Sequence, residues 1–313
     1  MYVFSYINLG DKMLKTKAIR KIFTTTLTMF IILTLLTIPT TTKNNVLRTN
    51  LEIEDITNLP TNSIYLLNKD NLLVKTNVYI EGNNLENKIK SIISYLTIEN
   101  EKRKSTLKGY LPKEVKLLAI KNTNNHIILN FNKAFKNINK SLEEQIITGI
   151  THSILGLKDI KTVTIQVENE PLPKYQFPLD KTTGINNEYL LTNRKDLTKV
   201  TVFYLDETKE NYLPITKYLN DKRDKIEIII DELKNNSTEK RISYLNSNLE
   251  LIDYKEENNV LFLNFNEYLK DNNSKISDVT YNLIAESVFF NYDINMVMFE
   301  INNQEEKSIS RFK

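Results

Sequence analysis

Cysteine is absent from this 313-residue chain, and histidine and glycine are scarce, at two and six residues. Without cysteine there is no disulfide, thiolate nucleophile, Cys-ligated zinc, iron–sulfur cluster or thioether-linked lipid. Two histidines and six glycines are meagre for a site that needs imidazole bases, metal ligands or a glycine-lined phosphate loop. Basic excess is also missing from most of the chain. The net charge of +3 comes from Lys12, Lys15, Lys17, Arg20, Lys21 and Lys43 near the start, which leaves 36 basic against 38 acidic residues in 44–313. A nucleic-acid footprint needs a basic body, so no nucleic-acid partner is expected. What is present is 41% hydrophobic and 26% charged residues over a length that can bury two cores, as expected of globular domains.

The first apolar run is Ile22 to Ile38, seventeen residues without charge, preceded by Lys15, Lys17, Arg20 and Lys21. Its length lies between a signal-peptide core and a spanning helix, and Thr40-Thr41-Thr42-Lys43 offers no small-residue cleavage site. Residues 1–43 are therefore read as a cytoplasmic tail and signal or transmembrane anchor. The expected localisation is the cell membrane, single pass with the C-terminal part extracytoplasmic, or secreted if the segment is cleaved. Met13 opens an ordinary signal start, MLKTKAIRK, and is an alternative first residue.

The remainder is an internal duplication. Leu117 to Phe135 aligns without gaps on Leu251 to Leu269, an offset of 134 that also places Tyr110 on Tyr244, Ser153 on Ser287 and Val163 on Val297. Each copy opens with two apolar, β-branched stretches, Ile64 to Leu67 with Leu72 to Ile80, and Val200 to Leu205 with Leu213 to Tyr218. An amphipathic helix follows, with apolar Leu85, Ile89, Ile92 and Leu96 or Ile226, Ile229, Ile230 and Leu233. Two strands then flank a turn at Asn122-Thr123-Asn124-Asn125 or Glu256-Glu257-Asn258-Asn259, whose asparagines tolerate positive φ. A second helix, capped at Ser141 with Glu144 three residues on, and a last strand close the unit. The fold class is α+β, two tandem copies of a β-β-α-β-β-α-β sandwich, each with one mixed sheet and helices on one face. The domains are 62–172 and 199–304, with a linker at 44–61, a proline-containing linker at 173–198 and a tail at 305–313.

This pattern resembles the GerM family of sporulation and spore germination. The resemblance is carried by Tyr110-Leu111-Pro112 before Lys116-Leu117-Leu118, by Leu129-Asn130-Phe131-Asn132, by Asp159-Ile160-Lys161-Thr162-Val163, and by their equivalents in the second copy. It implies a non-enzymatic envelope protein, similar in fold to the ring-building modules of secretion-like channels, that helps assemble a complex between mother cell and forespore. Two family features are missing: the lipid-bearing cysteine, and the glycine and proline after the first helix, where Thr97-Ile98-Glu99 and Lys234-Asn235-Asn236 stand. Expected partners are the membrane through residues 22–38, other envelope or sporulation proteins and further copies of the chain. An envelope protein that binds peptidoglycan or a membrane partner outside sporulation is the alternative.

No residue is assigned a catalytic, cofactor or metal role. His126 and His152 fall opposite Val260 and Glu286 and lack a second ligand at metal spacing; the acids Glu99, Glu101, Glu143 and Glu144 read as charged helix faces. Ser153 and Ser287 match between copies without a nucleophile elbow or, in copy two, a partnering histidine, and read as packing against a sheet. The candidate interaction surface consists of Asn130 and Asn264, which alternate with core residues and so face away from them, and of Phe289, Phe290 and Tyr292. For the asparagines the choice is between an intersubunit surface and a solvated sheet face; for the aromatics it is between a domain interface, a partner site and core packing.

Overall fold

The computed structural model describes residues 17, 19–30, 61–100, 102–103, 106–189, 195–270 and 277–311. Two compact units divide the chain at Leu59/Pro60. In the first, residues 19–30 are helical. Thr24, Thr25, Thr26 and Thr28 return their hydroxyls to carbonyls three and four residues back, for example Thr28 Oγ1 to the Thr24 oxygen at 2.8 Å, so the threonines present methyls outward. Ile22, Phe23, Leu27 and Phe30 are exposed on this helix. Among the described residues no helix is long and apolar enough to cross a membrane; the second half of the expected segment, 31–38, lies outside them, as does the expected linker up to residue 60.

The second unit holds both copies. Copy one runs β1 (Thr61–Leu67), β2 (Leu73–Tyr79), α1 (Leu85–Leu96), β3 (Leu117–Thr123), β4 (His126–Phe131), α2 (Glu143–Leu155) and β5 (Thr162–Val167). The short strands β6 (Glu170–Pro171), β7 (Leu179–Asp180) and β8 (Asn187–Glu188) follow. Copy two runs β9 (Thr198–Leu205), β10 (Tyr212–Leu219), α3 (Lys225–Asn235), β11 (Leu251–Glu257), β12 (Val260–Phe265), α4 (Asp278–Asn291), β13 (Met296–Ile301) and β14 (Gln304–Ser310). The expected order thus recurs twice. Local chemistry explains its punctuation: Asn84, Asp224 and Ser277 cap α1, α3 and α4, and Asn124-Asn125 and Asn258-Asn259 take φ between 53° and 65° in the two hairpin turns. Ser141 does not cap α2. It lies in a preceding 3-10 turn whose own cap is Asn139, and the residue before α2 is Leu142.

The sheets differ from the expected one per copy. Each copy builds a sheet from its later strands, β3-β4-β5-β6 with β7 on β5, and β11-β12-β13-β14; β4/β5 and β12/β13 pair in parallel because a helix connects them. The leading hairpins do not join those sheets. They join each other: β2 meets β10 at Lys75↔Tyr212, giving one sheet ordered β1-β2-β10 with β9 and β8 also on β10. The residues read as a C-terminal tail form β14, which pairs with β13 from Met296↔Ser310 to Ile301↔Gln304.

The expected linker at 173–198 is likewise built into the fold. Leu179–Asp180 pairs with β5 and Asn187–Glu188 with β10, and between them Ile185 is fully buried. Asn186, held at φ 48°, accepts from the Leu73 N–H at 2.9 Å and donates to the carbonyls of Leu73 and Pro214, both at 2.8 Å. One amide thereby bridges β2 and β10 where only a single pair of residues joins them. The half-buried Lys75–Glu286 ion pair at 2.5 Å and the Phe290–Phe203 contact at 5.8 Å reinforce the same region. Replacing Asn186 with Ala removes three backbone partners in a half-buried place. The expected cost is about 2 kcal/mol, read as a lower midpoint in denaturant unfolding.

Candidate functional site

The residues singled out by sequence are mostly interior. Asn130 and Asn264 are 6% and 1% exposed, so neither a solvated face nor an intersubunit surface describes them. Each instead secures the turn that leaves the last parallel strand. The Asn130 amide donates to Asn169 Oδ1 at 3.0 Å and accepts from the Asn169 N–H at 2.8 Å; Asn264 repeats this on Asn303 at 2.8 and 3.0 Å. These turns hold Glu168-Asn169 and Asn302-Asn303 at positive φ, a strained backbone that the buried amides fix. The correction has a simple cause: alternation puts the two side chains off the core face, but the following turn folds over that face.

Phe289 is buried in the core of copy two. Phe290 lies at the joint, where its ring stands 5.3 Å from that of His152, which in turn is 5.6 Å from Tyr65. Of the readings open for the aromatic run, Phe290 takes the domain interface. Tyr292 ties two helices of one copy together: its hydroxyl donates to the Asp224 carboxylate and accepts from the Ile226 N–H at 2.8 Å. Burial and that carboxylate raise its pKa.

Ser153 and Ser287 pack against a sheet, as expected, and do so through hydrogen bonds. Each hydroxyl donates to a carbonyl of its own helix, Gly149 at 2.6 Å or Leu283 at 2.7 Å, and accepts a strand N–H at 2.9 Å, that of Tyr65 or Phe203. Tyr65 and Phe203 belong to β1 and β9, the outer strands of the shared sheet, so each serine satisfies an edge donor. Asn291 adds a second clasp on β9 through Thr201.

The candidate acids do not converge. Glu99 pairs with Lys113 at 2.9 Å, Glu143 approaches Lys140 and Lys174, and Glu144 accepts from Asn187 at 2.5 Å and Tyr189 at 3.3 Å; Glu101 lies outside the described residues. Among the described residues no group of three His, Asp or Glu side chains is placed to hold a metal ion. Arg103 crosses the loop where the family's glycine and proline are missing and binds the carbonyls of Thr97 at 2.7 Å and Ile98 at 2.5 Å.

A surface difference between the copies comes from one exchange. Tyr110 is buried and donates to the Tyr65 carbonyl at 3.1 Å, under Gly149, where an added Cβ would stand 2.5 Å from the Tyr110 hydroxyl. At the same offset copy two has Tyr244 and Leu283. Leu283 is fully buried in place of the glycine, and Tyr244 is 46% exposed. There it borders an open groove of about 400 Å³ with Leu245, Asn246, Leu249, Tyr268 and Thr280. No single residue pattern marks this groove; comparing the copies pair by pair reveals it.

Two α+β domains fused through a shared sheet define a tandem-domain protein by architecture. Residues 63–173 match the family model described as Germane, sporulation and spore germination, which supports the resemblance to the GerM family. The tandem GerMN domains of the sporulation protein GerM from Bacillus subtilis share the fold at a TM-score of 0.70 and 22% identity, over 80% of this chain and 96% of that one. The first GerMN domain of that protein matches at 20% identity over 39% of this chain and 94% of that chain, with a TM-score of 0.35. No curated protein matches the sequence.

His152 gives the joint a pH dependence. Its Nε2 stands 2.7 Å from the Thr183 carbonyl, which can only accept, so Nε2 carries a proton; that bond by itself favours the charged ring, and burial opposes it. Burial first, with Lys199 adding to it and Asp180 opposing, lowers its pKa to about 4. In the unfolded chain the ring takes its proton near the ordinary value of 6.5, so between these values the unfolded state binds more protons and stability falls as pH falls. The loss reaches about 3 kcal/mol below pH 4. Denaturant unfolding from pH 7 to 4 should show this slope, and His152→Gln, which keeps a donor toward Thr183, should remove it.

Proposed function

We propose that the protein is a non-enzymatic, membrane-anchored extracytoplasmic assembly protein acting in sporulation or spore germination. The observation that carries this reading is the Germane match over the whole first copy, 63–173. Two further features support it. The basic cluster before Ile22 and the uncharged run that follows suit an anchor with its basic side in the cytoplasm. The fused domain pair suits a scaffold, because it holds two sets of surfaces in one fixed relation. A fluorescent fusion of the full-length protein, followed from growth into starvation, tests the assignment. Signal confined to developing cells and gathered at the forespore-enclosing membrane is the expected outcome; uniform envelope signal in growing cells overturns the stage-specific role.

The second reading, a cell-envelope protein that binds peptidoglycan outside sporulation, is favoured by the groove of copy two. Its exposed Tyr244 and Tyr268, 46% and 43% accessible, flank the polar Asn246, Ser277 and Thr280, a combination of aromatic faces and hydrogen-bonding groups that suits a sugar chain. On that reading purified peptidoglycan retains the protein, and Tyr244→Ala with Tyr268→Ala abolishes retention while leaving the melting temperature unchanged.

A further inference from the structure

The duplicated domain leaves the same strand edge open twice. In the shared sheet the outer strands are clasped by helices, β1 by Ser153 and β9 by Ser287 and Asn291. In the two remaining sheets β3 and β11 are end strands, and among the described residues no strand pairs with their far sides. They occupy equivalent positions, and both are interrupted by a bulge, between Leu117 and Ala119 and between Leu251 and Asp253. The residue at each bulge is an exposed aliphatic, Leu118 at 53% and Ile252 at 51%.

The two edges differ in charge. Exposed Lys116 and Lys121 lie at β3, which contains no acidic residue from Leu117 to Thr123. β11 carries exposed Asp253, Glu256 and Glu257 against Lys255, which is itself 3.9 Å from Glu257. Bulges and charged side chains commonly guard an edge against indiscriminate pairing. Opposite signs do this selectively: β3 against β3 and β11 against β11 bring like charges together, whereas β3 against β11 brings lysines to carboxylates.

We propose that β3 of one molecule pairs with β11 of a second copy, so that the protein self-associates head to tail. Each such contact adds main-chain hydrogen bonds along the strand and brings Leu118 of one molecule to the edge that carries Ile252 of the next. A heterologous contact of this kind leaves one β3 and one β11 free at the ends of every assembly, and so propagates into a filament or closes into a ring. The inference deepens the scaffold reading, but its test reads only association of the purified chain, so failure here leaves the localisation outcome untouched.

The test uses sedimentation velocity of the full chain in mild detergent. The wild type should associate with rising concentration, about tenfold more weakly at 500 mM than at 50 mM salt, because exposed charges are screened. The pair Lys116→Glu with Lys121→Glu disables the basic edge only, and the pair Glu256→Lys with Glu257→Lys disables the acidic edge only. Each should be monomeric alone, and an equimolar mixture of the two should form a mixed complex again, because every edge of one variant then meets an edge of opposite sign on the other. Formation of that complex also shows that both variants fold. A wild type that stays monomeric overturns the proposal, as does a variant that self-associates like the wild type or a mixture that does not combine.

Discussion

Everything beyond the single domain depends on the meeting of β2 and β10. One residue pair, Lys75 with Tyr212, joins two hairpins that are more than a hundred residues apart in sequence. Such a narrow strand contact would be weak by itself, since a lone bridge orders much backbone for few hydrogen bonds. Asn186 makes it sufficient, because its amide completes the backbone groups of Leu73 and Pro214 from between the strands. Around it the buried His152, Phe203 and Tyr65 rings and the half-buried Phe290 ring pack together, and Lys75 reaches Glu286 across the joint. The result is a domain pair whose relative geometry is set by packing and not by a tether.

Duplication followed by paired exchanges then gives the two halves different surfaces on the same backbone plan. Gly149 admits Tyr110 to the first core; Leu283 fills that space in the second and sends Tyr244 outward. Ala119, Asn122 and Thr123 of β3 correspond to Asp253, Glu256 and Glu257 of β11, and Lys116 before β3 to Glu250. By contrast, what holds each unit together is repeated closely: the serine on the second helix that accepts an edge N–H, and the asparagine that fixes the final turn. Internal contacts recur while outward residues diverge, as expected when both copies must fold but present themselves to different neighbours.

The sequence was most legible where the physics is local. Hydrophobic period separated strands from helices, asparagine pairs marked turns with positive φ, and the offset of 134 residues lined up the copies. It was least legible at polar residues whose partners are distant. Asn130 and Asn264 alternate as surface residues should, and only the turn that returns over them, 39 positions later, makes them interior. Ser153 and Ser287 stood out as a matching pair, yet their acceptor role needs β1 and β9 beside the helix. The stretch with Pro173, Pro178 and Gly184 reads as a connection, and its composition does hold no apolar period. Ile185, fully buried inside it, is a single residue and sets no pattern to find.

The sequence by itself determined the number of copies, the order of strands and helices in each, and the faces that go inward, because these follow from periodicity and turn chemistry within a few residues. Tertiary structure alone decided that the leading hairpins join each other, that the connection is part of the fold, and which edges are clasped and which left open. Apart from proline, main-chain hydrogen-bonding groups are the same at every residue. Which strand edge finds which partner is therefore settled by long-range packing and by single clasping side chains such as Asn186, whose significance exists only once the strands they bridge are side by side.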